Sequence, residues 1–202
     1  MSTRKKAVLL ILLILAADQI LKFWVKTTMV IGEERSIFGS WGLLHFIENN
    51  GMAFGMEIGG KAGKIILSLF RVAAITAIGL FLNSLIKKKV YTGLILAVSA
   101  ILAGAVGNLI DSAFYGLIFS ESYSQPAVLF PPGGGYSSFL MGRVVDMFYF
   151  PVIDTTWPGW SPFRAGEPFI FFRPVFNIAD SAITCGVFAI ILFQKKMFRD
   201  LE

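Results

Sequence analysis

Four aspartates stand in or beside apolar stretches of the chain, where an ionisable side chain requires a physical reason. Asp18, Asp111 and Asp180 lie in long apolar runs, and Asp146 lies in an apolar patch between proline-rich stretches. A charged side chain within a membrane span costs about 2.5–3.5 kcal/mol on insertion scales. Two carboxylates in one low-dielectric pocket retain a proton near neutral pH, so they provide a general acid and a general base.

Asp180 has the strongest case for a functional role, because no basic residue lies three or four positions away from it. Other polar residues have structural interpretations. Asp18 and Lys22 are spaced i, i+4 and can neutralise each other on one helix face. Asn177 could cap the last apolar helix. Arg71 is expected to be an interfacial anchor whose long side chain reaches the headgroup layer.

The composition indicates that these residues are positioned by membrane helices. Of 202 residues, 55% are apolar and 15% are charged, and the mean hydropathy is +0.71. That leaves too little polar surface for a soluble globule. A membrane core needs roughly 20 helical residues to cross. The sequence therefore predicts an all-α integral membrane protein, a single membrane domain over residues 1–202, with four spans at about 7–25, 65–86, 90–110 and 175–193.

Clusters of basic residues set the expected orientation. They occur at 4–6, 87–89 and 195–196, beside the ends of spans, and such clusters mark the cytoplasmic face. Both termini are then cytoplasmic, and the segments at about 27–64 and 119–173 are external.

Helix geometry brings the acidic residues to a similar depth. At about 1.5 Å per residue, Asp18 lies about 18 Å, Asp111 about 33 Å and Asp180 about 22 Å from the basic ends of their spans. In a core about 30 Å thick, all three belong to the outer half or its edge. The sequence therefore predicts a shared polar site near the outer leaflet, which also includes the amides of Asn49, Asn108 and Asn177.

The two external segments differ in character. The first alternates β-prone residues at 43–47 with turn residues at 49–51, which predicts a small strand-rich cap. The second contains nearly all of the eight prolines and a glycine run at 133–135, which predicts turns and irregular loop.

Several other classes of function are disfavoured. The net charge of +5 comes from basic clusters beside the spans, a pattern of membrane anchors, so we expect no nucleic-acid partner. A single Cys185 excludes an internal disulfide, and with a single His45 no cluster has metal-ligand spacing. We expect no metal and no organic cofactor.

The N-terminus allows a second interpretation. The basic residues 4–6, an apolar run and the alanines at 16–17 resemble a cleavable signal peptide. However, apolar character resumes after Gln19 and completes a full span, so we expect the segment to be retained.

Five short stretches resemble, in order and in register, the lipoprotein signal peptidase family, also called signal peptidase II. They are Asp-Gln-Ile-Leu-Lys at 18–22, Asn-Asn-Gly-Met-Ala-Phe at 49–54, Gly-Ala-Val-Gly-Asn-Leu-Ile-Asp at 104–111, Val-Val-Asp-Met at 144–147 and Phe-Asn-Ile-Ala-Asp-Ser at 176–181. Each stretch is short, but five in register touch all four predicted spans.

The resemblance implies a membrane aspartyl endopeptidase whose catalytic residues are Asp146 and Asp180. It implies four helices, a small periplasmic β-rich cradle, and a helix or loop over the site. The implied substrate is a bacterial prolipoprotein with a diacylglyceryl-modified cysteine, cut on the N-terminal side of that cysteine in the cytoplasmic membrane. Membrane lipids are the other expected partner, and no obligate protein partner is evident. Substrate-binding or supporting roles are expected for Asn49, Gly51, Asn108, Asp111, Arg143, Asn177, Asp18 and Lys22.

The chain departs from the family pattern in two respects. The family usually has an arginine directly after the aspartate of its Gly-Asn motif, where this chain has Ser112. Arg143 is a candidate to replace that arginine. The segments from Asp111 to Asp146 and from Asp146 to Asn177 are also longer than usual.

In the expected reaction, one aspartate takes a proton from water while the other, protonated, donates to the scissile carbonyl. The sequence does not assign which carboxylate begins as the base, since the two titrate as a pair. Two alternatives remain at this point. A small transporter or channel subunit would use the carboxylates as an ion path, and a non-catalytic membrane scaffold would not need them.

Overall fold

The computed structural model describes residues 1–50, 60–151, 153–162, 164–171 and 174–199. Three of its helices are long and apolar enough to cross a membrane. Helix α1 is Thr3–Thr28 and α2 is Gly60–Lys88. Helix α3, Thr92–Ile110, continues through a π-helical turn, Asp111–Tyr115, and a short helix α4, Gly116–Ile118.

Helix α3 is the central helix. Half of the residues in its most apolar 18-residue stretch are buried, whereas the share is 17% in α1 and 11% in α2. The large exposed side chains of α1 and α2 are mostly apolar, as expected for surfaces that face acyl chains.

The fourth apolar helix is shorter than the predicted span at 175–193. Helix α5 is Ile178–Leu192, and a four-residue helix α6, Gln194–Met197, follows it. Val175 and Phe176 instead form a strand, and Asn177 begins the helix as its N-cap. Hydropathy placed the start of the helix earlier, because strand β6 is as apolar as the helix that follows it.

Helix α5 lies very close to α3. A Cβ atom on Gly104 would lie 2.2 Å from the carbonyl oxygen of Ala179, and one on Gly186 would lie 2.7 Å from that of Ala97. Such distances are possible only with glycine, so the small residues let the two backbones approach.

An antiparallel sheet covers one end of the helices. Strands β1, Glu34–Phe38, and β2, Gly42–Asn49, form a hairpin, and the predicted strand-rich cap is therefore confirmed. Strand β3, Val144–Tyr149, pairs with β2, and β6, Val175–Phe176, pairs with β3.

The prediction of an irregular second segment is wrong for part of its length. It contains β3 and a separate hairpin of β4, Ile153–Thr156, and β5, Pro168–Phe171. Strand β3 is an apolar, β-prone run, but the prolines and glycines around it dominated the interpretation of the segment.

A buried apolar cluster joins the sheet to the helices. Val25 of α1 and Met29, which follows that helix, pack in one cluster with Phe46 of β2, Tyr115 of the π-helical turn and Val145 of β3. Because these side chains are fully buried, the cluster fixes β3, and with it Asp146, against α1 and α3.

Candidate active site

Asp146 lies in the middle of β3, where only 2% of its surface is exposed. It pairs with Ile47 across the β2–β3 ladder. Its carboxylate accepts two short hydrogen bonds. The side-chain amide of Asn49 donates to Oδ2 at 2.6 Å, and that of Asn177 donates to Oδ1 at 2.6 Å.

Asp180 lies in the first turn of α5 and takes part in a reciprocal capping interaction. Its backbone N–H donates to Asn177 Oδ1 at 2.9 Å, and its own Oδ2 accepts from the backbone N–H of Asn177 at 3.3 Å. The side-chain amide of Asn108 donates to Asp180 Oδ1 at 2.8 Å. The predicted cap at Asn177 is therefore confirmed, and the same residue links Asp146 to Asp180.

The electrostatics of Asp146 favour a retained proton. Burial and then the negative charge of Asp180 raise the pKa of Asp146 to about 7, against hydrogen bonds from Asn49 and Asn177 and the charge of Lys22. Near neutral pH, Asp146 is therefore present in both its protonated and its ionised forms. A carboxylic acid that keeps its proton near neutral pH can serve as the acid of a carboxylate pair.

A buried ion cluster lies beside the pair. Lys22 Nζ is 2.9 Å from Asp18 Oδ2 and 2.7 Å from Asp111 Oδ2, and all three side chains are almost completely buried. The predicted pairing of Asp18 with Lys22 is confirmed, and Asp111 is an additional partner from α3. Lys22 also donates to Asn108 Oδ1 at 3.0 Å, which links the cluster to Asp180.

Each carboxylate of this cluster also holds the backbone next to a candidate catalytic residue. Asp18 Oδ1 accepts from the N–H of Ala179 at 2.9 Å, and Asp111 Oδ2 accepts from the N–H of Val145 at 3.3 Å. The two acceptors therefore fix the chain directly before Asp180 and directly before Asp146.

Gln19 is a site residue that the residue-by-residue interpretation missed, although it lies in a matched motif. Its amide donates to Asp18 Oδ2 at 3.1 Å and to Asp111 Oδ1 at 3.0 Å, and its Oε1 accepts from the hydroxyl of Tyr115 at 3.2 Å. The sequence could have indicated Gln19, because it is an uncharged polar residue next to Asp18 in an apolar run.

Arg71 is oriented differently from the expected interfacial anchor. Its guanidinium donates to Ser112 Oγ at 2.9 Å and lies within electrostatic range of the carboxylates of Asp180, Asp111 and Asp146. The side chain reaches the site from α2 and contacts Ser112, the position at which the family that the sequence resembles usually has an arginine.

Arg143, the candidate replacement, has other partners. Its guanidinium lies 2.7 Å from Glu48 and 2.6 Å from Glu121, and it packs over the ring of Tyr136. Lys26 also pairs with Glu48. Arg143 therefore belongs to a second charged cluster that joins α1, β2 and the segment after α4.

Two further expectations concern the surroundings of the site. Gly51 lies outside the described residues. Among the residues that the structure describes, no three His, Cys, Asp or Glu side chains are grouped so that they could hold a metal ion.

Comparisons with known proteins find relatives along almost the whole chain. The family model described as Signal peptidase (SPase) II matches residues 10–196. The lipoprotein signal peptidase of Porphyromonas gingivalis strain W83 is 50% identical over 184 residues, which cover 91% of this chain and 80% of the relative. The lipoprotein signal peptidase of Amoebophilus asiaticus strain 5a2 is 36% identical, covering 91% and 75%.

The fold is also similar to that of solved structures. A bacterial membrane enzyme determined by the in meso method superposes with a TM-score of 0.60 at 24% identity, covering 95% of this chain and 94% of the other. At this level of identity the likeness concerns the fold alone.

Proposed function

The chain belongs to the signal peptidase II family, and we propose that Asp146 and Asp180 are the carboxylates with which it removes signal peptides from prolipoproteins. Membership of this family makes the chain a peptidase, and the resemblance to this family is confirmed. The observation that carries the assignment of the pair is the bridge through Asn177, which contacts Asp146 Oδ1 and Asp180 Oδ2.

The substrate is a prolipoprotein whose cysteine carries a diacylglyceryl group, and cleavage occurs on the N-terminal side of that cysteine. The protein lies in the bacterial cytoplasmic membrane with both termini in the cytoplasm and its site near the periplasmic leaflet. The basic clusters support this orientation. Helix α5 is the fourth span; it is only about 22 Å long at about 1.5 Å per residue, because it begins beneath the sheet.

Asp146 starts as the acid and Asp180 as the base. The raised pKa of Asp146 supports a proton on that carboxyl group. Asp180 lies in the first turn of α5, where the positive end of the helix dipole favours an anionic side chain.

The reaction begins when Asp180 takes a proton from a water molecule, whose oxygen attacks the scissile carbonyl. Asp146 donates a hydrogen bond to the carbonyl oxygen and stabilises the tetrahedral intermediate. Asp180 then gives its proton to the departing amine as the peptide bond breaks. No step requires a metal or an organic cofactor.

The remaining polar residues position this pair. Asn49, Asn108 and Asn177 orient the carboxylates through the hydrogen bonds described above. Asp18, Lys22 and Asp111 hold the backbone beside them. Arg71 supplies positive charge to the carboxylates and takes the place of the arginine that the family carries at the position of Ser112.

The proposal is tested by cleavage of a diacylglyceryl-modified prolipoprotein with the purified protein in detergent. Asp146→Asn and Asp180→Asn should each abolish cleavage while melting near the wild-type temperature. The matched control is Glu167→Gln, which removes a carboxylate of the second external segment whose side chain is 61% exposed. Full activity in either aspartate variant would remove that residue from the mechanism and direct attention to Asp111 or Asp18.

A further inference from the structure

The segment between Glu121 and Arg143 contains no charged residue. Its exposed surface carries large apolar side chains, of which Phe130 is 70% exposed and Phe139 is 56% exposed, together with Val128 and Leu129. Several large apolar side chains exposed on one uncharged segment are typical of an interaction site in a folded protein.

Hydrogen bonds hold this segment against α4. Phe130 N–H donates to the carbonyl of Ile118 at 2.7 Å, and Ser137 N–H donates to that of Gly116 at 2.8 Å. Gly134 N–H bonds Pro131 within the segment, and Pro131 and Pro132 have no N–H to satisfy. These bonds satisfy part of the backbone of the segment, and the polar headgroup layer can supply partners for the rest, whereas the hydrocarbon core cannot.

Two large residues of the segment have a left-handed backbone. The φ angle is 50° at Phe130 and 64° at Leu140. This conformation is unfavourable for bulky side chains, so the surrounding structure must hold these two residues in place. At Phe130 it accompanies a ring that points out of the fold.

Phe139 and Leu140, near the end of the segment, contact the apolar helices. The ring of Phe139 packs edge-on against that of Phe114, 5.9 Å between centroids. Phe114 belongs to the span that ends at Ile118 and is itself 47% exposed. Leu140 N–H donates to the carbonyl of Ala113, and its carbonyl accepts from Ser68 Oγ of α2 at 3.1 Å.

We propose that residues 128–140, the apolar cap, lie in the interfacial layer of the leaflet at the site end of the helices, with the side chains of Phe130 and Phe139 inserted among the acyl chains. The occupant of the apolar surface is bilayer lipid, because the cap continues the exposed apolar surface of α2 and of Phe114 and Leu117, which follow α3. It acts as a membrane-immersed element that adds to the spans. This inference rests on the spans and the cap alone and does not depend on the catalytic assignment.

The cap also adjoins the site. Gly142 N–H donates to the carbonyl of Ser112 at 2.8 Å, and Ser112 Oγ accepts from Arg71. The chain then enters β3 and reaches Asp146 four residues later. The depth of the cap in the leaflet therefore helps to set the depth of the site in the membrane.

Nitroxide labels would test this placement. Phe130→Cys and Phe139→Cys, each in a Cys185→Ser background, are labelled and reconstituted into phosphatidylcholine vesicles. Collisions with oxygen should exceed those with a water-soluble nickel chelate at both positions, as at the lipid-facing control Leu80→Cys. Ser124→Cys, an exposed position outside the cap, should show the opposite order. Nickel accessibility at 130 and 139 equal to that at 124 would overturn the proposal.

The unaltered protein provides a second measurement that does not depend on the variants folding. Vesicles that contain a phospholipid with a photoactivatable acyl chain are irradiated, and the labelled peptides are identified by mass spectrometry. Labels within 128–140, at a yield similar to that in α2, support immersion. Labels in α2 and α5 without any in 128–140 would refute it. Because neither assay measures cleavage, the result is independent of the proposed reaction.

Discussion

Asp18 of α1 accepts a hydrogen bond at 2.9 Å from the backbone N–H of Ala179, a residue 161 positions later in the chain. The contact fixes the start of α5 directly before Asp180. Asp111 does the same for Val145, directly before Asp146. Since Lys22 lies between both acceptors, one buried cation holds together the two backbones that carry the candidate catalytic pair.

Lys22→Met should destabilise the protein strongly. The substitution leaves Asp18 and Asp111 buried without their cation, and breaking such a cluster costs roughly 3–5 kcal/mol. We expect a lower melting temperature in detergent and loss of cleavage. Lys5→Met, an exposed lysine of the same helix, is the control and should stay within about 0.5 kcal/mol of wild type. Equal melting of the two variants would show that the cluster does not stabilise the fold.

The rate of cleavage should fall as pH rises through about 7. The pKa of Asp146 is raised to about 7 by burial and by the charge of Asp180, so the proton needed on its carboxyl group is lost above that pH. Below it, Asp146 stays protonated. A pH profile of the rate constant at saturating substrate measures this alkaline limb.

Asn49→Ala should move the alkaline limb to higher pH. The amide of Asn49 donates to the ionised form of Asp146, and a hydrogen bond to a charged group contributes about 1.5–3 kcal/mol, which corresponds to about one to two pH units. The neighbouring Asn50→Ala is the control, because Asn50 accepts from Lys64 and should leave the limb in place. A limb that moves to lower pH in Asn49→Ala would contradict the assignment of the proton.

Arg71→Gln and Arg143→Gln should have different effects. Arg71 faces the carboxylates, so its loss should lower the rate constant by roughly tenfold to a hundredfold, about 1.4–2.8 kcal/mol. Arg143 joins Glu48 to Glu121, so its loss should mainly lower the melting temperature. The opposite outcome would assign to Arg143 the role proposed for Arg71.

In the double variant Arg71→Ser with Ser112→Arg, the arginine returns to the family's position, and activity should be partly restored.

Local spacing predicted those parts of the site that lie within one element. The i, i+4 pairing of Asp18 with Lys22 and the cap at Asn177 were both visible in the sequence. The third member, Asp111, comes from another helix, and its contact depends on how closely α1 approaches α3. Arg71 was misinterpreted for the same reason: its contact with Ser112 depends on the packing of α2 against α3.

The parts of the fold that were missed depend on distant partners. The residues of β3 are β-prone, but their partner strand β2 lies about a hundred residues earlier, and only its pairing decides against a loop. Val175 and Phe176 are apolar enough for a membrane helix, yet β3 recruits them as a strand. Hydropathy measures neither strand pairing nor capping, so it located the apolar helices well and their ends poorly.

Gly104→Ala adds only one methyl group but should strongly impair cleavage. A Cβ at this position would lie 2.2 Å from the carbonyl oxygen of Ala179 and 2.7 Å from Ile183, so the start of α5 must move. Because Asp180 follows Ala179, a displacement near 1 Å should lower the rate constant by about a hundredfold. Gly79→Ala in α2 is the matched control, since a Cβ there meets nothing within 4 Å. That variant should retain activity and gain roughly 0.5–1 kcal/mol from helix propensity. Wild-type cleavage by Gly104→Ala would show that the position of Asp180 does not depend on the contact between α3 and α5.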